Sequence, residues 1–221
     1  MRRPHRSLPL AAALVLLSGA TAPGRTRPAL SSPMPTDSVR EELRVGRSWH
    51  IARALRAEGA ADADPDRVLL LARAEAGWGH WRAVTELLEG TAWLEREGGG
   101  EGHLLLGRAR EEAGRWGDAA ASYTAYLDLP TAPDRRRPAL LARLARARAA
   151  SGDAAGAVDA LDAIPSEDVT VRSWAAADLA RSRSEVGDTA ALRMLMLRVI
   201  AAQARAATWR LVPDARLAVG D

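Results

Sequence analysis

Four arginines recur along the chain at nearly constant spacing, and we call them the arginine column. They are Arg73, Arg108, Arg146 and Arg181, at steps of 35, 38 and 35 residues. A guanidinium group is planar, permanently charged and able to bind a carboxylate through two parallel hydrogen bonds. On one shared surface, the four groups could bind the carboxylates of an acidic peptide or of a peptidoglycan stem. The alternative is local ion pairing, because Glu112 and Glu185 each lie four residues after one of these arginines.

The remaining reactive residue types form no catalytic or metal-binding pattern. Three histidines follow the leader segment: His50, His80 and His103. They are far apart and lack both the HExxH spacing and a cysteine partner, so we expect surface or packing roles. Adjacent acids such as Glu111 and Glu112 diverge by about 100° on a helix, which predicts solvated charges rather than a glycosidase pair. The sequence therefore predicts no catalytic residue, no metal and no cofactor.

A glycine-rich segment, residues 98–102, could be taken for a phosphate-binding loop. It lacks the lysine and the Ser/Thr of a P-loop, and no strand-like pattern precedes it. We therefore interpret it as a loop between repeats.

Seven tryptophans are numerous for a chain without phenylalanine. Trp81 and Trp116 occupy equivalent places in two repeats, which predicts core positions. On that basis Trp116→Ala is expected to cost about 3–5 kcal/mol. Trp78 and Trp174 fall outside the core register, so we expect them to be exposed and to contact a partner or a glycan.

The elements that would position these residues recur with the same period. A small residue, a glycine seven residues later and a large apolar residue nine further on define each unit. The small residues are Ala72, Gly107, Ala145 and Ala180; the glycines are Gly79, Gly114, Gly152 and Gly187; the large residues are Leu88, Tyr123, Leu161 and Met196. The apolar spacing is helical throughout, and Asp64–Pro65 is typical of a helix start. Stacked helix pairs of this kind form a solenoid.

This pattern resembles the tetratricopeptide repeat family over residues 60–201. The clearest unit contains Leu106, Gly107, Gly114, Trp116, Ala119, Tyr123 and Leu127. Other units depart from it, since Val84 and Leu192 replace a small residue, and Ala154 and Thr189 replace the aromatic one. The resemblance implies an all-α, right-handed superhelix in which the arginine side of each first helix lines a groove for a protein or peptide. The 35-residue step is also typical of the RNA-binding pentatricopeptide family. Predicted export and a net charge near zero argue against that family.

The divergent units are also similar to the helical, non-catalytic N-terminal region of soluble lytic transglycosylases, which act on peptidoglycan. The Glu-Ser pair and the Gly-Leu-Met-Gln stretch of that family's catalytic domain do not occur in this sequence. The ending at residues 215–221 repeats the end of a first helix. It predicts that the chain is a piece of a longer protein, unless the match at Gly220 is chance.

The first residues predict export. Arg2, Arg3 and Arg6 precede an apolar run at residues 8–17, so residues 1–20 are predicted to be a signal peptide cleaved after Ala20. The alternative is an uncleaved N-terminal anchor. Residues 21–36 are rich in proline, serine and threonine, which predicts a flexible tether. Residues 37–221 are predicted to form the solenoid, with about four full repeats plus partial terminal units.

The net charge of the chain argues against nucleic acid as a partner. Removing the three arginines of the leader from the 31 basic residues leaves 28, which equals the number of acidic ones. A chain of zero net charge is a poor nucleic-acid binder. We therefore predict a periplasmic or cell-envelope protein that binds proteins, without nucleic acid and without stable membrane insertion after cleavage of the signal.

Overall fold

The computed structural model describes residues 33–130, 134–185 and residue 197. The chain divides into two compact units, residues 1–33 and 34–221, and the described helices belong to the second. These helices are α1 (Thr36–Arg44), α2 (Ser48–Ala57), α3 (Pro65–Gly77), α4 (Trp81–Leu88), α5 (Glu101–Glu112), α6 (Trp116–Leu127), α7 (Arg137–Ala150), α8 (Ala154–Asp162) and α9 (Val169–Glu185). The described residues contain no strand, which confirms the all-α prediction.

Helix ends follow the capping residues in the sequence. The Asp64 carboxylate accepts a hydrogen bond of 3.2 Å from the backbone N–H of Arg67, and Pro65 occupies the first turn of α3. Past the end of α3, Gly79 has a φ of 86°, and Gly114 after α5 has a φ of 70°. Only glycine adopts this left-handed conformation without strain, so these residues reverse the chain into the next helix.

Each helix packs on its neighbours in the chain, and α3 also contacts α1 and α5, as α7 contacts α9. Three apolar clusters fill the spaces between them in the described residues: one across α1–α3, one across α3–α5 and one across α6–α9. The recurring small residue allows close approach, since a Cβ on Gly107 would lie 2.5 Å from Cε1 of Tyr123. Ala72, Ala145 and Ala180 are fully buried at the equivalent positions.

The loop interpretation of residues 98–102 is confirmed for the three glycines, whereas Glu101 and Gly102 are already the first residues of α5. Gly98, Gly99 and Gly100 all have positive φ and lead directly into α5. Several predicted features lie outside the described residues: the signal peptide, most of the tether, Gly187, the second helix of the fourth unit apart from residue 197, and the C-terminal ending. Among the described helices, none combines the length and apolar character needed to cross a bilayer.

Candidate functional site

The four arginines of the column lie on α3, α5, α7 and α9, and each is paired with an acid. Arg73 pairs with Glu101, and Arg146 and Arg181 lie 3.7 and 3.2 Å from the carboxylate of Asp178. Arg108 contacts Glu111 at 2.9 Å and Glu112 at 2.6 Å. Local pairing with Glu112 is thus confirmed, whereas the side chain of Glu185 lies outside the described residues. Binding of a ligand by these arginines stays a prediction.

Ion pairs also link the first helices of successive units. They join α1 to α3 through Arg40–Asp66 (3.2 Å), α3 to α5 through Arg73–Glu101, α5 to α7 through Arg143–Glu111 (2.8 Å) and α7 to α9 through Arg146–Asp178 (3.7 Å). Most of these side chains are partly exposed. The face that carries the arginine column is therefore a charged seam along the helix pairs.

Two tryptophans lie beneath arginines of this seam. The guanidinium carbon of Arg108 is 5.8 Å from the ring centroid of Trp81, and that of Arg146 is 5.7 Å from Trp116. Each tryptophan begins a second helix, and its arginine lies on the first helix of the next unit. Both indoles pack against the apolar clusters but remain partly exposed. The predicted core positions are thus confirmed in part, since each indole packs against an apolar cluster while an arginine covers one face of its ring.

A cavity of about 680 Å³ is lined by Trp81 without Arg108. Two smaller cavities include both members of a stacked pair in their lining. The first has a volume of about 370 Å³ and is lined by Trp81, Leu104, Arg108, Tyr123, Arg136, Ala139, Leu140 and Arg143. The second has a volume of about 310 Å³ and is lined by Trp116, Arg146, Ala149, Ala150, Asp178, Leu179 and Arg181. The two linings share the stacked tryptophan–arginine pair and one further repeat position, which is Arg143 in the first and Asp178 in the second; their other lining residues are not equivalent.

The expectation that Glu111 is solvated was wrong. Only 6% of the residue is exposed, because Arg108 and Arg143 cover its carboxylate from two helices. Tyr123 is buried nearby, and burial together with the Glu111 charge raises the pKa of its phenol. The hydroxyl is therefore neutral at pH 7.

A second buried carboxylate, Glu75 at the end of α3, was missed by sequence reasoning. It is fully buried and lies 2.7 Å from Nε of Arg56 and 2.9 Å from Nδ1 of His80. Its Oε2 also accepts a hydrogen bond of 3.1 Å from Nε1 of Trp78. These contacts join α2, α3 and the start of α4. The only signal in the sequence was an acidic residue inside an apolar helical stretch.

The exposed tryptophans lie where the sequence predicted. Trp78 is 42% exposed and Trp174 55% exposed, and neither belongs to an apolar cluster. Trp49, which the sequence reasoning did not single out as exposed, is 47% exposed under Arg53. The described residues contain no group of three or more His, Asp or Glu side chains able to hold a metal ion.

Comparisons of the chain with protein-family models, with curated proteins and with solved structures found no match. The case for a function therefore depends on the repeat pattern and on the geometry of the arginine face.

Proposed function

We propose that this chain is an exported scaffold of tetratricopeptide-like helix pairs, wound as a right-handed superhelix, that binds an acidic segment of another protein in the bacterial cell envelope. It has no catalysis of its own in this proposal. The binding face carries Arg73, Arg108, Arg146 and Arg181 on successive first helices.

The recurrence of a stacked arginine–tryptophan pair beside a cavity in two successive units is the observation that supports this proposal most. In both, an arginine of one unit lies over the tryptophan that begins the second helix of the unit before. Arg136 and Arg143 also line the first cavity, and Arg181 also lines the second. A ligand that spans both cavities would have to be extended and repetitive in its contacts, as a polypeptide segment is. Arginine and tryptophan are also the side chains that contribute most to protein interfaces.

Exposed ion pairs on the binding face can be replaced by ion pairs with carboxylates of a partner. Arg146 and Arg181 are 57% and 53% exposed, and both contact the same carboxylate of Asp178. Exposed pairs of this kind contribute about 0–1 kcal/mol each, so a partner carboxylate can replace Asp178 at low cost. Arg108 is different, because it covers the buried Glu111 and would be expensive to release.

The test measures binding of a fluorescein-labelled peptide of alternating glutamate and alanine by anisotropy, using the full chain without its leader. Arg146→Ala and Arg181→Ala should each weaken binding by about tenfold while leaving the melting temperature within about 2 °C, because Asp178 remains solvated. Arg82→Ala is the matched control, since Arg82 is 87% exposed and lies on the second helix α4.

Equal binding by all three variants and the wild type would contradict the proposal, as would equal binding of the corresponding glutamine peptide. Co-sedimentation with isolated peptidoglycan, measured in parallel, separates a peptidoglycan ligand from a protein ligand. Retention by peptidoglycan without binding of the acidic peptide would favour the role implied by the lytic transglycosylase resemblance.

A further inference from the structure

The largest of the three cavities described above adjoins the binding face through Trp81. It has a volume of about 680 Å³ and lies between the start of α4 and the end of α5. Trp81 also lines the first of the two smaller cavities, and Arg108 of the arginine column lies over its ring. A partner segment bound along the arginine column can therefore place a neighbouring side chain in the larger cavity.

The charged side chains that line this cavity balance one another. Two acids and two arginines belong to the lining, and each already has a partner of opposite charge: Arg82 pairs with Glu86 at 2.8 Å, Glu112 with Arg108 at 2.6 Å and Arg115 with Glu89 at 2.6 Å. The cavity therefore has no excess of either charge to offer a ligand. An uncharged occupant matches it best.

The rest of the lining is mainly small and apolar. Gly79, Ala109 and Ala113 line the cavity together with the Trp81 indole. Thr85 also lines it, but its hydroxyl already donates to the backbone carbonyl of Trp81 at 3.3 Å. A flat ring can stack on the indole because the neighbouring residues are small. A volume of about 680 Å³ holds such a ring together with part of the next residue of a peptide.

His80 is the polar group of the lining whose orientation is fixed from behind by a buried carboxylate. Its Nδ1 lies 2.9 Å from Oε2 of the fully buried Glu75 and 3.1 Å from the Arg56 guanidinium. A carboxylate only accepts hydrogen bonds, so Nδ1 carries a hydrogen and donates it to Glu75, while Arg56 pairs with the other oxygen of Glu75. The Trp78 ring also packs on the imidazole, with 4.7 Å between the ring centroids.

This arrangement makes Nε2 the nitrogen of His80 that can bind a ligand. The side chain is 38% exposed, and among the described residues only Nδ1 of this ring forms hydrogen bonds. When Nδ1 donates, Nε2 of a neutral imidazole is an acceptor. A matching occupant therefore carries a hydrogen-bond donor on an uncharged ring.

We propose that this cavity binds a tyrosine side chain of the partner, with its ring against Trp81 and its hydroxyl donating to Nε2 of His80. Tyrosine combines an uncharged ring with a donor at its end and is enriched at protein interfaces. This inference deepens the proposed function and rests on it, because it names one residue that the acidic segment carries.

The experiment compares three fluorescein-labelled peptides of alternating glutamate and alanine, in which the central alanine is kept or replaced by phenylalanine or tyrosine. Binding to the full chain without its leader is measured by anisotropy. The tyrosine peptide should bind at least about tenfold more tightly than the alanine peptide, because the ring is buried against Trp81. It should bind about fivefold more tightly than the phenylalanine peptide, the effect of one hydrogen bond between neutral groups.

His80→Asn separates the hydrogen bond from the packing. The asparagine amide can still donate to Glu75, but it has no atom in the place of Nε2. The preference for tyrosine over phenylalanine should fall from about fivefold to less than about twofold, while binding of the alanine peptide stays unchanged. His50→Asn is the matched control, because His50 is exposed and does not line the cavity.

Ala113→Leu is a second test that leaves Glu75 and His80 untouched. Ala113 is exposed just after α5, so a larger side chain fills the cavity from its rim without entering the core. The tyrosine peptide should then bind no more tightly than the alanine peptide. Ala121→Leu changes an exposed alanine of α6 outside the lining, and it should bind all three peptides like the wild type.

The two proposals fail separately. Equal binding of the three peptides by the wild type would remove the cavity as a tyrosine site and leave the scaffold function standing. A tyrosine preference that survives both His80→Asn and Ala113→Leu would place the ring elsewhere and overturn the inference. Saturable binding of free p-cresol without any tyrosine preference would also contradict it, because the cavity would then take a small molecule. If none of the peptides binds, the proposed function itself is contradicted.

Discussion

Replacing Glu75 by glutamine is expected to destabilise the protein more than any other single change of an acid to its amide on α2–α4. The carboxylate is fully buried and contacts Arg56 at 2.7 Å, His80 at 2.9 Å and Nε1 of Trp78 at 3.1 Å. Glutamine keeps the size of the side chain but removes its charge and one of its two acceptor oxygens. The substitution therefore tests the charge and its hydrogen bonds without creating a cavity.

The magnitude follows from the exposure of the partners. Breaking a buried ion pair costs about 3–5 kcal/mol when the remaining charge stays buried. Here Arg56 and His80 are 48% and 38% exposed, so water can solvate them after the change. We expect a loss near the lower limit, about 3 kcal/mol, which for a domain of this size lowers the melting temperature by about 6–12 °C.

The measurement is urea unfolding followed by circular dichroism at 222 nm, with thermal unfolding as a second reading. Glu86→Gln is the matched control, because Glu86 pairs with Arg82 at 2.8 Å on the surface of α4 with 61% of its side chain exposed. That variant should lose no more than about 0.5 kcal/mol. If Glu75→Gln and Glu86→Gln differ by less than about 0.5 kcal/mol, the reasoning from burial is refuted.

Three further substitutions test the packing and the charged seam by denaturant unfolding. Gly107→Ala places a Cβ 2.5 Å from the ring of Tyr123, and the overpacking outweighs the better helix propensity of alanine, for a net loss of about 1 kcal/mol; a gain would mean that α5 and α6 are not closely packed. Trp116→Ala should cost about 2 kcal/mol, below the 3–5 kcal/mol of a fully buried indole, because one ring face is only covered by arginine. Hydrogen bonds from Arg115, with smaller effects of a second arginine, lower the pKa of Glu89 to about 2, so its contribution is complete above the unfolded pKa near 4.5 and is lost as the pH falls towards 2. The stability difference between wild type and Glu89→Gln should therefore shrink over that interval, and a constant difference would contradict the assignment.

The repeat itself could be predicted from the sequence because its signals are local. Apolar residues at spacings of three and four, Pro65 after a capping aspartate and glycines at fixed places define each helix pair within about 35 residues. The structure places α3 to α8 accordingly. The pairing of Arg108 with Glu112 was predictable for the same reason, since both lie on one helix four residues apart.

The burial of Glu75 and Glu111 could not be predicted this way. The arginines that cover them, Arg56 and Arg143, lie on neighbouring helices, and Arg143 is 32 residues from its partner. Helical periodicity tells which residues share a face, but it does not tell which acidic residue on that face a neighbouring unit will cover. The two cavities depend on the same contacts between units, so they could not be predicted from the sequence either.

The arginines of the charged seam have two roles, stabilising the fold and binding a partner. Whether the paired acid is buried decides which role each arginine can fill. Where the acid is buried, as at Glu111, its arginines cannot leave without stranding a charge in the core, so they act as fixed donors at the wall of a cavity. Where the acid is exposed, as at Asp178, the arginines can exchange partners at little cost. A binding measurement on this face therefore has to be read with a stability measurement at each site, since Arg108→Ala should lower both, whereas Arg146→Ala should lower binding alone. The same helix register thus produces a rigid site in one unit and an adaptable one in the next.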